Sequence, residues 1–402
     1  MTDSLFPFMN RRSLFTTAAA AASAALLDNH AEAREMEELT QLADTGSPRT
    51  MDVRGRVRNY VRFPHLDMES KGNFLAGLYV WRQQELEKTA AIRAVEILNA
   101  AGVEDDPNMP MEKAVALLEA DPIIAMTGRA RHSHQKLKYQ MLQTEYYKMA
   151  DPFLEEMERA DKMHAHRLEL NPSMDIPEYT AHEIHSMPGG YVGDDFAGHM
   201  YHAGTDLGAY VDVNYHDRVH MTMARNAIIP EDGKVRRILD IGTSIGQFAT
   251  SMKRRFPDAE VWGIDIGAPM VRYAHMKALD MGQEVNFAQR LAEDTGFPDG
   301  HFDIVTSNLL FHEVNTQASK DIIKEVGRVL RTGGTFSATD QNNPMVTAHN
   351  KFTLWYNCRW NHEDWYLDWH DVDFPGEMRK SGLKVTKNKG NGLDSNYIAI
   401  KT

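Results

Sequence analysis

The chain has 402 residues, 42% of them apolar and 25% charged, which is enough for two or three domains each with its own core. Acids outnumber Lys and Arg by 57 to 44, and a net charge of −13 argues against binding to a phosphate backbone. Cys358, the one cysteine, excludes an intrachain disulfide, and no uninterrupted apolar run is long enough for a membrane span.

Residues 9–33 carry Arg11-Arg12, an alanine run and an A-x-A at Ala31–Ala33. This leader resembles a bacterial twin-arginine export signal; the alternatives are an alanine-rich helix or a transit segment. Residues 1–34 are therefore set apart as a leader expected to be cleaved or disordered.

From residue 72 to 103, Phe74, Leu75, Leu78, Tyr79, Trp81, Leu86, Ile92, Ile97 and Leu98 recur at helical spacing and end at Gly102. A short helix is predicted over 111–119, stopped near Asp121-Pro122. A longer one follows over 123–168, broken at Pro152. Residues 35–170 thus read as an all-α domain, offering a lid, a partner site or a homodimer surface. Prolines, the pair Gly189-Gly190 and a cluster of histidines and tyrosines mark residues 171–225 as a cap or linker segment.

The next stretch is the most informative. Residues 238–265 read ILDIGTSIGQFATSMKRRFPDAEVWGID: a strand, a glycine turn with Asp240, Gly242 and Gly246, a helix, and a second strand closing on Asp265. Glycines let a ligand approach the backbone closely, and an acid at the end of the second strand takes ribose hydroxyls. The spacing D-x-G-x-x-x-G departs from the G-x-G-x-x-G of dinucleotide enzymes. FPDGHFDIV (297–305) predicts a turn and a strand, followed by Ser307, Asn308 and LLFHEV; EVGRVLRTGGTF (325–336) predicts a helix, a Gly-Gly turn and a strand. The closing segments LKVTKN and SNYIAIKT read as an antiparallel hairpin.

In order and spacing these segments resemble the class I S-adenosylmethionine-dependent methyltransferases, in particular the small-molecule branch that includes the ubiquinone/menaquinone C-methyltransferases. The resemblance covers residues 226–402. It implies an α/β fold, a Rossmann-like domain with a seven-stranded sheet, preceded by the all-α domain. The implied cofactor is S-adenosyl-L-methionine and the implied partner a small, aromatic or apolar organic acceptor. Asp240, Gly242, Ser244 and Gly246 would contact its methionine part and Asp265 its ribose, with Ile266, Ala292, Glu293 and Asn308 completing the cofactor site. Leu291 stands where many relatives carry an Asp or Asn for the adenine amino group, so Glu293 or Asp294 substitutes, or backbone and apolar contacts hold the ring. His312 is the candidate general base, since an imidazole near its ordinary pKa suits proton removal at neutral pH; its alternative role is to support the loop. His185, Tyr191 and Tyr201, with Tyr179 beside them, are candidates for the acceptor pocket. In the resembling family residues 344–379 are an insertion closing that pocket; they hold Trp355, Trp360, Trp365 and Trp369, of which Trp365 is the candidate acceptor contact.

Two absences narrow the acceptor. SNLLF (307–311) lacks the (D/N)-P-P-(Y/F) used on exocyclic amines of bases, and Cys358 is not placed like the nucleophile of cytosine-5 enzymes, so no nucleic acid is expected. The rival reading is a metal site among the pairs His132/His134, His164/His166, His182/His185, His199/His202 and His216/His220, or a domain that binds cofactor without turnover. No Glu-x-x-His accompanies those histidines in the α region, and none is assigned to a metal. Because S-adenosylmethionine is made in the cytosol, the expected location is cytoplasmic, with twin-arginine export as the alternative.

Overall fold

The computed structural model describes residues 63, 65–106, 108–211, 217–341, 347–386 and 394–402. The leader and the first part of the expected helical domain lie outside the described residues, as does His216.

The described chain begins with helices α1 (Leu66–Trp81) and α2 (Glu87–Ala100), joined without a break by one wide π-helical turn at Arg82–Leu86. The helical spacing is correct, but the buried face is not the bulky one. Phe74 and Ile92 are exposed, while Leu75, Ala90, Ala94 and Leu98 are buried. Small side chains there let neighbouring helices approach closely. Helices α3 (Met111–Leu118), α4 (Pro122–Lys148) and α5 (Ala150–Lys162) follow. Asp121 caps α4, accepting from the amides of Ile123 (3.0 Å) and Ile124 (3.3 Å), with Pro122 at the first helical position. The break between α4 and α5 falls at Met149. Pro152 has no amide hydrogen to continue α4 and sits in the first turn of α5, where none is needed.

Among the described residues the sheet has eight strands, in the order β1-β4-β3-β2-β5-β6-β8-β7. They are β1 (Leu168–Glu169), β2 (Arg237–Ile241), β3 (Glu260–Asp265), β4 (Asn286–Gln289), β5 (Phe302–Asn308), β6 (Leu330–Gln341), β7 (Leu383–Thr386) and β8 (Asp394–Lys401). The expected seven strands are β2–β8. The eighth corrects the count: Leu168 and Glu169 follow α5 and add parallel to the exposed edge of β4. Strands β1 to β6 pair parallel, whereas β8 pairs antiparallel with both β6 and β7, as the closing hairpin requires.

Both faces of the sheet are covered, as continuous apolar strands demand. On one face lie α10 (Thr316–Val329), α12 (Tyr366–Asp371) and α13 (Phe374–Lys380), through Ile322, Ile323, Val326, Trp369, Phe374 and Met378. On the other lie α7 (Arg218–Asn226), α8 (Gln247–Arg255) and α9 (Ala268–Asp280), through Ala224, Phe248, Met252, Val271 and Ala274. The helical region is joined to this sandwich by two shared cores. In the first, Met68, Tyr139, Tyr146 and Met157 pack with α6 (Ala197–Asp206) and with Met270, Tyr273 and Met276 of α9. In the second, Ala90, Ala94, Leu98, Ala114 and Ile124 pack with Ala348, Phe352 and Tyr356 of α11 (Ala348–Trp360).

That second core revises the role of the tryptophan-rich segment. Trp355 packs against the helical region, and Trp369 is fully buried on the sheet with Phe311, Phe374 and Tyr397. Its rings support the surrounding structure.

Candidate functional site

Register places the site. Across β2, β3, β4 and β5, the pairs Ile241–Ile264, Asp265–Gln289 and Ile241–Ser307 align the carboxyl ends of four strands on one rim. The chain runs from β2 to β3 and β4 on one side, then crosses back to β5 on the other, so the rim is a topological switch point where open α/β sheets bind ligands. There lies a pocket of about 920 Å³ of empty volume, part of it open to solvent. The strand ends supply Gly242, Ser244, Asp265, Ile266, Arg290, Leu291, Ala292, Glu293 and Asn308 to its wall, and the segment before β2 contributes Tyr179, His182, Tyr191 and Tyr201.

The turn after β2 is shaped for close approach. Gly242 has φ +63°, and a Cβ there would stand 2.9 Å from Leu310 Cδ1. Asp265 is tied to the same turn: Oδ2 accepts from the Ser244 amide at 2.8 Å and Oδ1 from the Gly267 amide at 2.9 Å. Burial raises its pKa against those donors. Each carboxylate oxygen keeps a lone pair for a further donor.

Asp240 and Gly246, expected beside them, do not line the pocket. Asp240 is buried under the turn, where Oδ2 accepts from Thr243 Oγ1 (2.7 Å) and Oδ1 from Thr306 Oγ1 (2.8 Å). Burial pushes its pKa up to about 7. Gly246 caps α8 against Phe287. Both shape the turn from behind.

The region around Leu291 resolves one alternative. Glu293 lines the pocket, whereas Asp294 is exposed and does not. The Tyr179 hydroxyl donates to Glu293 Oε1, and Trp365 Nε1 donates to the Tyr179 carbonyl at 2.9 Å. Trp365 is therefore one ring removed from the pocket, bracing Tyr179 edge-on at 6.3 Å. The rings that line it are Tyr179, Tyr191 and Tyr201, the last two edge-to-face at 5.9 Å.

At the other end, past β5, Glu313 lines the pocket. Its Oε1 is 3.0 Å from His185 Nε2 and 3.4 Å from His312 Nε2, and accepts from the Tyr191 hydroxyl at 3.4 Å. Neither histidine lines the pocket. His312 is almost fully buried, with Nδ1 2.6 Å from Asp340 Oδ1. Burial opposes its charge, but Asp340 and Glu313 overcome this and raise its pKa well above the ordinary value. Both ring nitrogens are engaged by carboxylates, so His312 holds its proton and lacks the open nitrogen a general base needs. His185 Nδ1 is 3.2 Å from Glu363 Oε1. His185 and Ser186 both have positive φ, +53° and +56°, a conformation costing roughly 1–2 kcal/mol per residue. The ion pairs made by that tight turn offset the strain. Glu313 itself was within the LLFHEV segment; only folding showed that it, and not the adjacent histidine, faces the cavity.

Burial lowers the His185 pKa, but Glu313 and then Glu363 raise it to about 9. A folded value above the unfolded value of ~6.5 means that this contribution to stability is complete below about pH 6.5 and is lost as pH rises through 9. The expected size is on the order of 3 kcal/mol. Thermal melts of wild type and His185→Gln between pH 6 and 10 check this: the wild-type advantage should shrink with rising pH, and parallel curves would refute it.

The other histidine pairs have different partners. His199 stacks edge-on with Tyr273 at 4.6 Å, and His202 Nδ1 is 2.9 Å from the Tyr273 hydroxyl. His182 is 3.8 Å from Asp364, away from the partners of His185. His65, Asp67 and Glu145 lie close together, but Lys71 Nζ sits among them, 2.7 Å from Asp67 and 2.9 Å from Glu145. The ammonium takes the place a cation would occupy.

Residues 238–334 match the methyltransferase domain family. A demethylmenaquinone methyltransferase of Thermus thermophilus is 41% identical over 99 residues, 25% of this chain and 44% of that protein. A ubiquinone biosynthesis O-methyltransferase of Aeromonas salmonicida is 36% identical over 114 residues, 28% of this chain and 46% of that protein. The chain thus spans less than half the length of these curated relatives. Among solved structures, a protein from Pyrococcus horikoshii is similar at 19% identity with a TM-score of 0.38, covering 48% of this chain and 95% of that one.

Proposed function

We propose that this chain, whose residues 238–334 match the methyltransferase domain family, transfers a methyl group from S-adenosylmethionine to a small aromatic or apolar organic acceptor. The observation that carries this reading is the meeting of Gly242 and Asp265 in one pocket at the switch point of the sheet. The residues present suit the cofactor. Gly242 leaves room for its amino-acid part, Asp265 has lone pairs for its ribose hydroxyls, and Ile266, Leu291 and Ala292 offer apolar contact to its adenine, with Glu293 able to accept from the amino group. When bound, S-adenosylmethionine supplies an activated methyl group on a sulfonium.

The protein's own work is then alignment and exclusion of water. Tyr191 and Tyr201 form the apolar wall, and the segment carrying Tyr179 and His185 is fastened to both ends of the pocket through Glu293 and Glu313. His185, and after it His312, keep Glu313 ionised, a supporting role for His312 in place of that of a base. The two relatives above differ in what they are named for, and the acceptor atom of this chain follows from neither.

The test is calorimetric titration of S-adenosylmethionine and S-adenosylhomocysteine into the full chain. Micromolar binding of both is expected. A folded protein that binds neither overturns the proposal and leaves the glycine turn to another nucleoside.

A further inference from the structure

Asn308 is the last residue of β5 and lines the pocket. Side chains alternate along a strand, so Asn308 shares the face of Ile304 and Thr306. Ile304 belongs to the core covered by α7, α8 and α9, and Thr306 donates to Asp240 on the same side. Tyr191 and Tyr201 also pack on the α9 side, with Met270 and Tyr273. Asn308 and the two tyrosine rings therefore border the pocket on one side of the sheet.

The residue is half-buried, and its carboxamide has no hydrogen-bond partner among the described residues. Both its oxygen and its nitrogen keep accessible surface, so a molecule in the pocket can reach them. The backbone directly after it is strained. Leu309 has φ +54°, which a leucine rarely adopts, and its amide is fixed by the Thr339 carbonyl at 2.8 Å. This turn ends β5 at Asn308 and lays Leu310 on the glycine turn, with Cδ1 2.9 Å from the place of a Gly242 Cβ. Strain of this kind persists where the surroundings over-determine it, and it gathers at ligand sites.

The rest of the wall is rich in acceptors and poor in free donors. Asp265, Glu293 and Glu313 line it, whereas the donors beside them are largely spent. Tyr179 donates to Glu293, Tyr191 to Glu313 at 3.4 Å, and Thr180 to the Pro177 carbonyl at 2.9 Å. Arg290 donates to the Thr295 carbonyl at 2.7 Å and pairs with Glu169 at 2.5 Å. The Asn308 carboxamide brings two N–H donors that none of these acceptors takes.

We propose that Asn308 Nδ2 donates to an oxygen of the methyl acceptor, and so selects an apolar or aromatic molecule that carries a carbonyl, ether or hydroxyl oxygen over one that carries none. This rests on the methyltransferase reading of the pocket. It moves Asn308 from the cofactor, to which the family resemblance gives it, to the acceptor. The bond orients the acceptor between Asn308 and the rings of Tyr191 and Tyr201. No proton changes place, since a carboxamide does not titrate.

Three matched probes test this in the full chain. They are 2-naphthol, its ether 2-methoxynaphthalene, and 2-methylnaphthalene, whose methyl group has the size of the hydroxyl and no lone pair. Each is titrated by calorimetry into wild type, Asn308→Leu and Asn308→Asp, with and without saturating S-adenosylhomocysteine. In wild type, 2-naphthol is expected to bind at least as tightly as 2-methylnaphthalene, whereas a hydroxyl left without a partner would bind roughly tenfold more weakly. In Asn308→Leu the affinity ratio of 2-naphthol to 2-methylnaphthalene should fall about fivefold to tenfold. Asn308→Asp keeps the shape but replaces the donor by a lone pair. It should weaken 2-methoxynaphthalene by at least that factor and largely spare 2-naphthol, which can donate in return. A residue that only holds the fold would weaken all three probes alike. Affinity for S-adenosylhomocysteine should stay within about threefold of wild type in both variants.

Tenfold weaker binding of 2-naphthol than of 2-methylnaphthalene by wild type, binding of no probe, or an unchanged ratio in a folded Asn308→Leu each overturns the assignment. So does a loss of S-adenosylhomocysteine affinity with the ratio intact, which would return Asn308 to the cofactor. The wild-type comparison needs no variant, so it decides the matter even where both variants fail to fold. Failure of wild type to bind S-adenosylhomocysteine would count against the cofactor reading, and the probe ratios measured without it still judge Asn308.

Discussion

Replacing Asp265 with alanine is expected to weaken S-adenosylhomocysteine binding by a factor of roughly 100 to 1,000. Hydrogen bonds to a charged group contribute about 1.5–3 kcal/mol each, and two ribose hydroxyls would lose theirs; the lower end of that sum, about 3–4 kcal/mol, converts to that range. The substitution has a second effect in the same direction. Asp265 holds the amides of Ser244 and Gly267, so its loss also slackens the turn after β2 and the start of α9. Asp265→Asn separates the two, because it keeps the shape and removes the charge; an intermediate loss is expected. Calorimetry on protein shown to be folded by circular dichroism is the measurement. An Asp265→Ala protein within threefold of wild-type affinity would sink the ribose assignment.

The largest effect on stability is expected at Gly246, where valine should cost about 3–5 kcal/mol. Its φ is +76°, a conformation that costs a β-branched residue roughly 1–2 kcal/mol or more. Packing adds the rest. A Cβ would lie 2.7 Å from ring carbons of Phe287 and 2.9 Å from Ala274 Cβ, both fully buried. Overfilling such a core costs about 1–3 kcal/mol. Thermal unfolding should begin about 10 °C lower. Gly233→Val is the control: its φ is +69° but nothing lies within 4 Å, so it isolates the backbone part. If the two variants melt together, the packing argument fails.

These two positions also show what the chain discloses before it folds. Gly246 and Asp265 were legible because their neighbours in sequence are their neighbours in space: strand, turn, helix and strand follow in one run, and chirality closes such a unit in one way. The class of the fold, the parallel strands, the closing hairpin and the position of Asp265 at the rim all come from such local order. The helices of the N-terminal region were legible for the same reason, since periodicity is local, although which face they bury was not. Phe74 is exposed and Ala90 is buried because the choice belongs to the partner helix.

What eluded the linear reading needed contacts between distant segments. The eighth strand forms because two residues after α5 meet the open edge of β4. Asp240 turned out to serve Thr243 and Thr306, and Trp365 to serve Tyr179, because sequence spacing names a residue's region but not the direction of its side chain. His312 and Glu313 are adjacent in the chain, yet one is buried against Asp340 and the other lines the cavity. Their electrostatics arise only when residues 185, 313, 340 and 363 come together, for a charge in a low-dielectric site is set by what surrounds it. The sequence by itself determined the kind of domain and the place of the acid that closes its second strand, Asp265. Which residues of the LLFHEV segment line the cavity was decided only by tertiary structure, since ion pairs and burial are properties of neighbours in space.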